Sequence, residues 1–185
     1  MLGLINIDFT NFINIIAILV NMLMLITVII GGVFGLIQWI HSNRIKKSEF
    51  VNQITKTLRS DINMAAISYK IEYRKFEYNK EFHSDYKLQY KVDMLLSYLS
   101  YICYLFKNGI INNDEFNIFK YNVNWICKDG DNIQPYLWNL YHFSKKNGFI
   151  CSFYCLIDFG IENKLFDDDF EKETCEKYKD KRYLF

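Results

Sequence analysis

Charge is what the start of this chain lacks. From Phe9 to Asn43 there is no Asp, Glu, Lys or Arg; all 22 Lys and Arg residues lie at or after Arg44, and of the 21 acids only Asp8 precedes it. Proline occurs once, at Pro135, and glycine eight times. So few breakers argue for long uninterrupted elements and against a β-sandwich or a flexible linker. Cysteine is sparse and odd in number: Cys103, Cys127, Cys151, Cys155 and Cys175. They sit on apolar segments and read as buried free thiols in a reducing compartment rather than a disulfide framework. A net charge of +1 over 185 residues gives no basic footprint for duplex nucleic acid.

What fills the uncharged stretch is Ile, Leu, Val, Met and Phe, almost without interruption from Ile13 to Ile40. A bilayer core of ~30 Å takes about 20 apolar residues as a helix, and a helix satisfies its own backbone polar groups in lipid. The sequence therefore predicts a transmembrane helix over 13–40, within an N-terminal membrane segment 1–43. Arg44, Lys46 and Lys47 follow at once. By the positive-inside rule this places the remainder, 44–185, in the cytoplasm, as a single-pass protein of the inner membrane. A cleaved signal peptide does not fit, because the positive charge lies on the wrong side of the apolar run. Within the helix, Asn14 and Asn21 share a face, Gly31 and Gly35 form a small-xxx-small pair, and Gln38 sits near the cytoplasmic border. These residue types support helix association in lipid, and hence a homo-oligomer.

Hydrophobic residues make up 51% of the chain and aromatics 18%, so the cytosolic part has the means to fold. The expected class is all-α: the membrane helix continuing into a cytosolic helical domain. No breaker follows the border, and Val51, Ile54, Leu58, Ile62, Ala65, Tyr69, Tyr73 and Phe76 form an apolar stripe of eleven-residue period, a candidate stalk. Ile67, Tyr69, Ile71 and Tyr73 also alternate with polar residues, as do Tyr86, Leu88, Tyr90 and Val92. A β-hairpin across 67–92 is thus the alternative to helix. A helix is expected from about Asp85 to Lys107, capped by Ser84 or Asp85 and stopped by Asn108-Gly109. The next begins at an Asn113 cap and buries Phe116, Phe119, Val123 and Ile126. Pro135 suits the first turn of a helix over 133–146. Phe149 to Ile161 reads as a core helix. Asp167-Asp168-Asp169 opens a charged, peripheral helix running to about Arg182.

No phosphate-binding glycine loop and no nucleophile elbow is present. Cys151 and Cys155 are four apart and, with His142 or Cys175, could approach a zinc set, but the spacing of structural zinc sites is missing. The expectation is a non-enzyme with no catalytic residues, no metal and no cofactor; an enzyme using Trp138, His142 and Cys151 is the competing reading. A ligand site has candidate residues of the right types. Trp125, Trp138 and His142 lie near Lys128, Lys145 and Lys146, and Arg74 and Lys75 lie beside Tyr73. Aromatic faces stack on bases and cations hold phosphates, so either cluster could seat a small nucleotide. Core packing and solvated lysines are the plainer account of the same residues.

The helix Val92–Ile102 (VDMLLSYLSYI), the run Lys107–Phe116 (KNGIINNDEF) and Trp125 a short helix later resemble a bacterial family of unknown function. Its members are short helical proteins with an N-terminal membrane anchor. The acid usual after the position of Tyr98 is absent here, where Leu99 and Ser100 stand. The layout also resembles membrane effectors of prokaryotic antiviral systems, of CRISPR type or abortive infection, in which a cytosolic sensor disturbs a bilayer segment. This second, architectural likeness implies an effector that senses a signal and permeabilises the inner membrane in antiviral defence. The alternative is a membrane-tethered scaffold with no pore activity.

Overall fold

The computed structural model describes residues 2–183, with side chains from Thr10 onward; the side chains of Asp8 and Phe9 lie outside that set. Every element is helical: α1 (Leu2–Ser60), α2 (Ile62–Glu72), α3 (Tyr86–Lys107), α4 (Asn113–Cys127), α5 (Ile133–Lys146), α6 (Tyr154–Glu162) and a 3-10 helix, Glu176–Lys181. The chain is all-α, and among the described residues the hairpin does not form. Two compact units result, Met1–Phe50 and Val51–Phe185. The division falls where α1 residues begin to be buried, rather than at the charge border Asn43/Arg44.

In the first unit every side chain from Thr10 to Lys46 is exposed. The helix is long and apolar enough to cross a membrane. Thr27 does not spoil this, because its hydroxyl donates to the Leu23 carbonyl one turn back.

In the second unit α3 is central and packs against α2, α4 and α6. Its buried face, Val92, Leu95, Leu96, Leu99, Ile102 and Cys103, follows helical spacing. Its start is fixed by Asp85, whose carboxylate accepts from the Lys87 and Leu88 amides. The last turns of α1 bury Val51, Ile54 and Leu58, and Tyr98 on α3 donates to the Ile54 carbonyl. The expected stripe stops there. Asp61 has extended backbone, φ −72° and ψ 115°, and its side chain accepts from the Asn63 and Met64 amides to start α2. This one-residue break resets the helical phase. Met64, Ile67 and Ile71 are buried instead of Ile62, Ala65 and Tyr69, and Ile62 is 84% exposed. Asp61 before an apolar run is a sequence signal of a cap, and periodicity alone overrode it.

Four helices end in the same hydrogen-bonded turn. At Arg74, Gly109, Gly148 and Lys164 the backbone is left-handed, with φ of 54°, 68°, 72° and 52°. In each case the next amide reaches back to the carbonyl five residues earlier: Lys75 to Lys70, Ile110 to Leu105, Phe149 to Ser144 and Leu165 to Gly160. Asn108, Asn147 and Asn163 precede three of these residues, and each side-chain amide donates to the carbonyl four residues back. After Arg74 the chain runs irregularly to Asp85. This strap is held by Phe76, Tyr78 and Phe82, with Tyr78 and Phe82 packed on Tyr136 at ring separations of 5.3 and 5.0 Å.

Three expected boundaries move. The cap of α4 is Asn112, not Asn113: Asn112 and Glu115 exchange side-chain and backbone hydrogen bonds in a full capping box. α6 starts at Tyr154, and Phe149 and Ile150 are exposed rather than core. The charged C-terminal stretch is neither an α-helix nor peripheral. It is irregular up to the 3-10 helix and buries Phe170, Cys175 and Tyr178.

That stretch is held by the polar side chains of α5. Gln134 is buried and donates to the carbonyls of Cys127 and Leu165, while its oxygen accepts from the Tyr178 hydroxyl and the Asp167 amide. Asn139 donates to the Lys181 carbonyl and accepts from the Tyr183 amide. Gln134→Leu keeps the bulk but strands the Cys127 and Leu165 carbonyls and the Asp167 amide, while the Tyr178 hydroxyl keeps the Asp167 carboxylate as its acceptor, so it should cost about 2–4 kcal/mol. Urea unfolding of the full chain in detergent, followed by circular dichroism, measures this.

Candidate functional site

The structure brings one member of one basic–aromatic cluster to two members of the other. The end of α2 contributes Ile71 and Arg74, the strap Phe76 and Glu77, the end of α4 Trp125 and Lys128, and the α4–α5 turn Asp129 to Asn132. Together they line an open cleft of about 430 Å³. Trp125 is 40% exposed and stacks on Tyr121 with rings 6.2 Å apart and 15° from parallel. The Tyr121 hydroxyl donates to Glu72, which ties α4 to the end of α2.

The floor is a tight turn. Asp129 Oδ1 accepts from the amides of Asp131 and Asn132, and Asn132 Oδ1 accepts from the Tyr78 amide. Burial raises the Asp129 pKa from its ordinary value, against the lowering effect of those hydrogen bonds. The cleft thus carries two cations, Arg74 and Lys128, and three carboxylates, Glu77, Asp129 and Asp131. Such a lining suits a ligand with one anionic group and several hydrogen-bonding groups better than a polyphosphate.

The other residues singled out from sequence lie elsewhere. Lys75 sits 5.5 Å from the Tyr69 ring centre and does not line the cleft. Trp138 and His142 are buried in α5. The Trp138 indole donates to the Lys172 carbonyl, and His142 Nε2 lies 3.2 Å from the Phe170 carbonyl. With Gln134 they form one polar face along α5 that secures the C-terminal stretch. Lys145 lines a second, more apolar cleft with Tyr141, Phe149, Ile150 and Tyr154, and Lys146 is exposed beside it. Asn14, Asn21 and Gln38 are exposed on α1, and a Cβ added at Gly31 or Gly35 would meet nothing within 4 Å.

The five thiols are free, and burial lifts Cys103 to about 12 and Cys127 well above its ordinary value. Thiols so placed stay protonated and are poor nucleophiles and ligands. Among the described residues no three His, Cys, Asp or Glu side chains assemble into a metal set.

No protein family, curated protein or solved structure matches the chain. The likeness to the anchored helical family therefore rests on Val92–Ile102, Lys107–Phe116 and Trp125 alone.

Sequence reasoning missed Glu77 and the Asp129–Asn132 turn as cleft residues. The signal was Lys128-Asp-Gly-Asp-Asn132, which reads only as a helix stop until the strap is seen to fold over it.

Two outcomes follow from this geometry. A left-handed Arg is strained by roughly 1–2 kcal/mol, partly offset by the entropy glycine loses on folding. Arg74→Gly should therefore raise stability by about 0.5–1 kcal/mol while removing a cleft cation, with Lys164→Gly giving the same gain away from the cleft. Thermal melts of both variants beside the parent measure the gain. Burial lowers the His142 pKa below the ordinary histidine value of about 6.5. The unfolded chain therefore takes up the proton first, and this contribution to stability is full above 6.5 and lost as pH falls below it. A His142→Gln chain should show a flatter fall in melting temperature between about pH 7 and 5.

Proposed function

We propose that the protein is a membrane-anchored, non-enzymatic effector that senses a signal and permeabilises the inner membrane, in antiviral defence. The observation that carries the reading is one helix with two surroundings. α1 has an exposed apolar run of membrane-crossing length, and its last turns bury Val51, Ile54 and Leu58 inside the helical unit. A tether needs no such continuity, since a flexible linker would serve. The domain is cytoplasmic by the Arg44, Lys46 and Lys47 border.

The signal is a small or cyclic nucleotide seated in the α2–strap–α4 cleft. Its base lies on Trp125, its phosphate meets Arg74 and Lys128, and Asp131 and Glu77 accept from its amino and hydroxyl groups. The three carboxylates favour low ligand charge, which suits a cyclic phosphodiester. α2 lines the cleft and joins α1 through Asp61 alone, so a ligand that fits one placement of α2 better than another would shift α1 as well. To turn the population from 1:99 to 99:1 it must bind the two states with affinities differing about 10⁴-fold. Chains associate through the face bearing Asn14 and Asn21 and the small pair Gly31 and Gly35, with Gln38 near the border.

Cells expressing the full chain with its activating system should leak a membrane-impermeant dye. Arg74→Ala with Lys128→Ala should stay in the membrane and lose the leakage, and Gly31→Ile with Gly35→Ile should lose both leakage and inter-chain cross-links. Undiminished activity after a foreign transmembrane helix replaces residues 13–40 would instead favour the tethered scaffold.

A further inference from the structure

The turn after α5 presents apolar side chains to water. Phe149 is 68% exposed, Ile150 86% and Tyr154 49%. With Tyr141, Lys145 and Cys151 they edge an open apolar cleft of about 350 Å³. This is not a loose loop. Gly148 is left-handed, the Phe149 amide donates to the Ser144 carbonyl at 2.8 Å, and the Gly148 amide donates to the Lys145 carbonyl. In this kind of helix stop the residue at the position of Phe149 often folds back on the last turn. Here the residue whose carbonyl the Phe149 amide reaches is Ser144, which offers no apolar surface, and the Phe149 side chain stays exposed. Adjacent exposed apolar residues on a fixed turn, edging an apolar cleft and rimmed by lysines, mark an interaction surface.

The charge around the turn selects the partner. From Asn132 to Ile157 the chain contains no acid, and its only formal charges are Lys145 and Lys146, which directly precede the turn. Lys107 lies 5.9 Å from the Tyr154 ring centre and is paired with Asp158. An aromatic–aliphatic tip with a tyrosine and two lysines behind it matches the headgroup zone of a bilayer. There aromatic rings settle at the interface and lysines meet anionic lipid.

We propose that Phe149 and Ile150 form a second membrane contact, a finger that inserts into the interface of an anionic leaflet, with Lys145 and Lys146 at the headgroups. The finger belongs to the helical unit and rests on the reading that α1 anchors the same chain in that bilayer. It gives the domain a lipid surface of its own.

The test uses the full chain, with Cys155→Ala, reconstituted in vesicles of phosphatidylethanolamine and roughly a quarter phosphatidylglycerol. An environment-sensitive fluorophore is attached through Ile150→Cys or, as a reference, through Glu171→Cys. The expected result is blue-shifted emission at position 150, quenched by lipids brominated in the upper acyl chain, with water-like emission at 171. Lys145→Glu with Lys146→Glu should reverse the shift and the quenching. Water-like, unquenched emission at 150 in a chain that resists carbonate extraction overturns the finger and leaves the α1 anchor standing. A blue shift without lipid quenching also overturns it, since a second copy or another protein then covers the tip. Extraction of the chain by carbonate removes the anchor reading and the finger together.

Discussion

Buried backbone polar groups must find partners, and in this protein irregular chain supplies many of them. The strap 73–85 and the stretch 163–183 lie against the core without strand or α-helix to pair their amides and carbonyls. The answer is a helix that is polar where it is buried. α5 is covered from Ile133 to Asn139, yet it carries Gln134, Trp138 and Asn139 there, with His142 one turn on. Each reaches a carbonyl of the C-terminal stretch, at Leu165, Lys172, Lys181 and Phe170 respectively. Gln134 alone bridges the end of α4, the residues after α6 and Tyr178. An unpaired group at such a place costs about 1–3 kcal/mol. The ordering of the C-terminal stretch 163–183 therefore depends on this one face of α5.

The same requirement explains what could and could not be read from the residues. α3, α4 and α5 are legible almost to the residue, because apolar spacing, the cap at Asp85, the first-turn proline Pro135 and the stop at Asn108-Gly109 all agree. The phase reset at Asp61 is not, because the eleven-residue period runs straight through Asp61 and outweighs its cap signal, although its side chain accepts from the Asn63 and Met64 amides. The stretch after Lys164 was misread as a charged helix, since its order comes from α5 rather than from its own pattern. Phe149 and Ile150 begin an apolar run that reads as core, and nothing in their own residue types marks them as exposed.

The candidate site shows the limit differently. The two basic–aromatic clusters lie about fifty residues apart, and only the folded strap brings Arg74 to the cleft edged by Trp125 and Lys128. Trp138 and His142 share residue types with that site but spend their polar atoms on backbone carbonyls. Aromatics and histidines in a buried helix with irregular neighbours serve structure first. The distinction needs three-dimensional neighbours, not composition.

The helix stops at Asn108-Gly109 and Asn147-Gly148 have a bearing on chemical ageing. Asn-Gly is the dipeptide most prone to cyclise, as the glycine nitrogen attacks the asparagine side-chain carbonyl and ammonia leaves. Here both glycine amides are held by carbonyls three residues back, and both asparagine amide groups by carbonyls four back. Neither nucleophile nor electrophile is free while the turns stay closed. Isoaspartate at these two positions would accumulate only as fast as the ends of α3 and α5 fray, making the two dipeptides a slow internal clock of local opening.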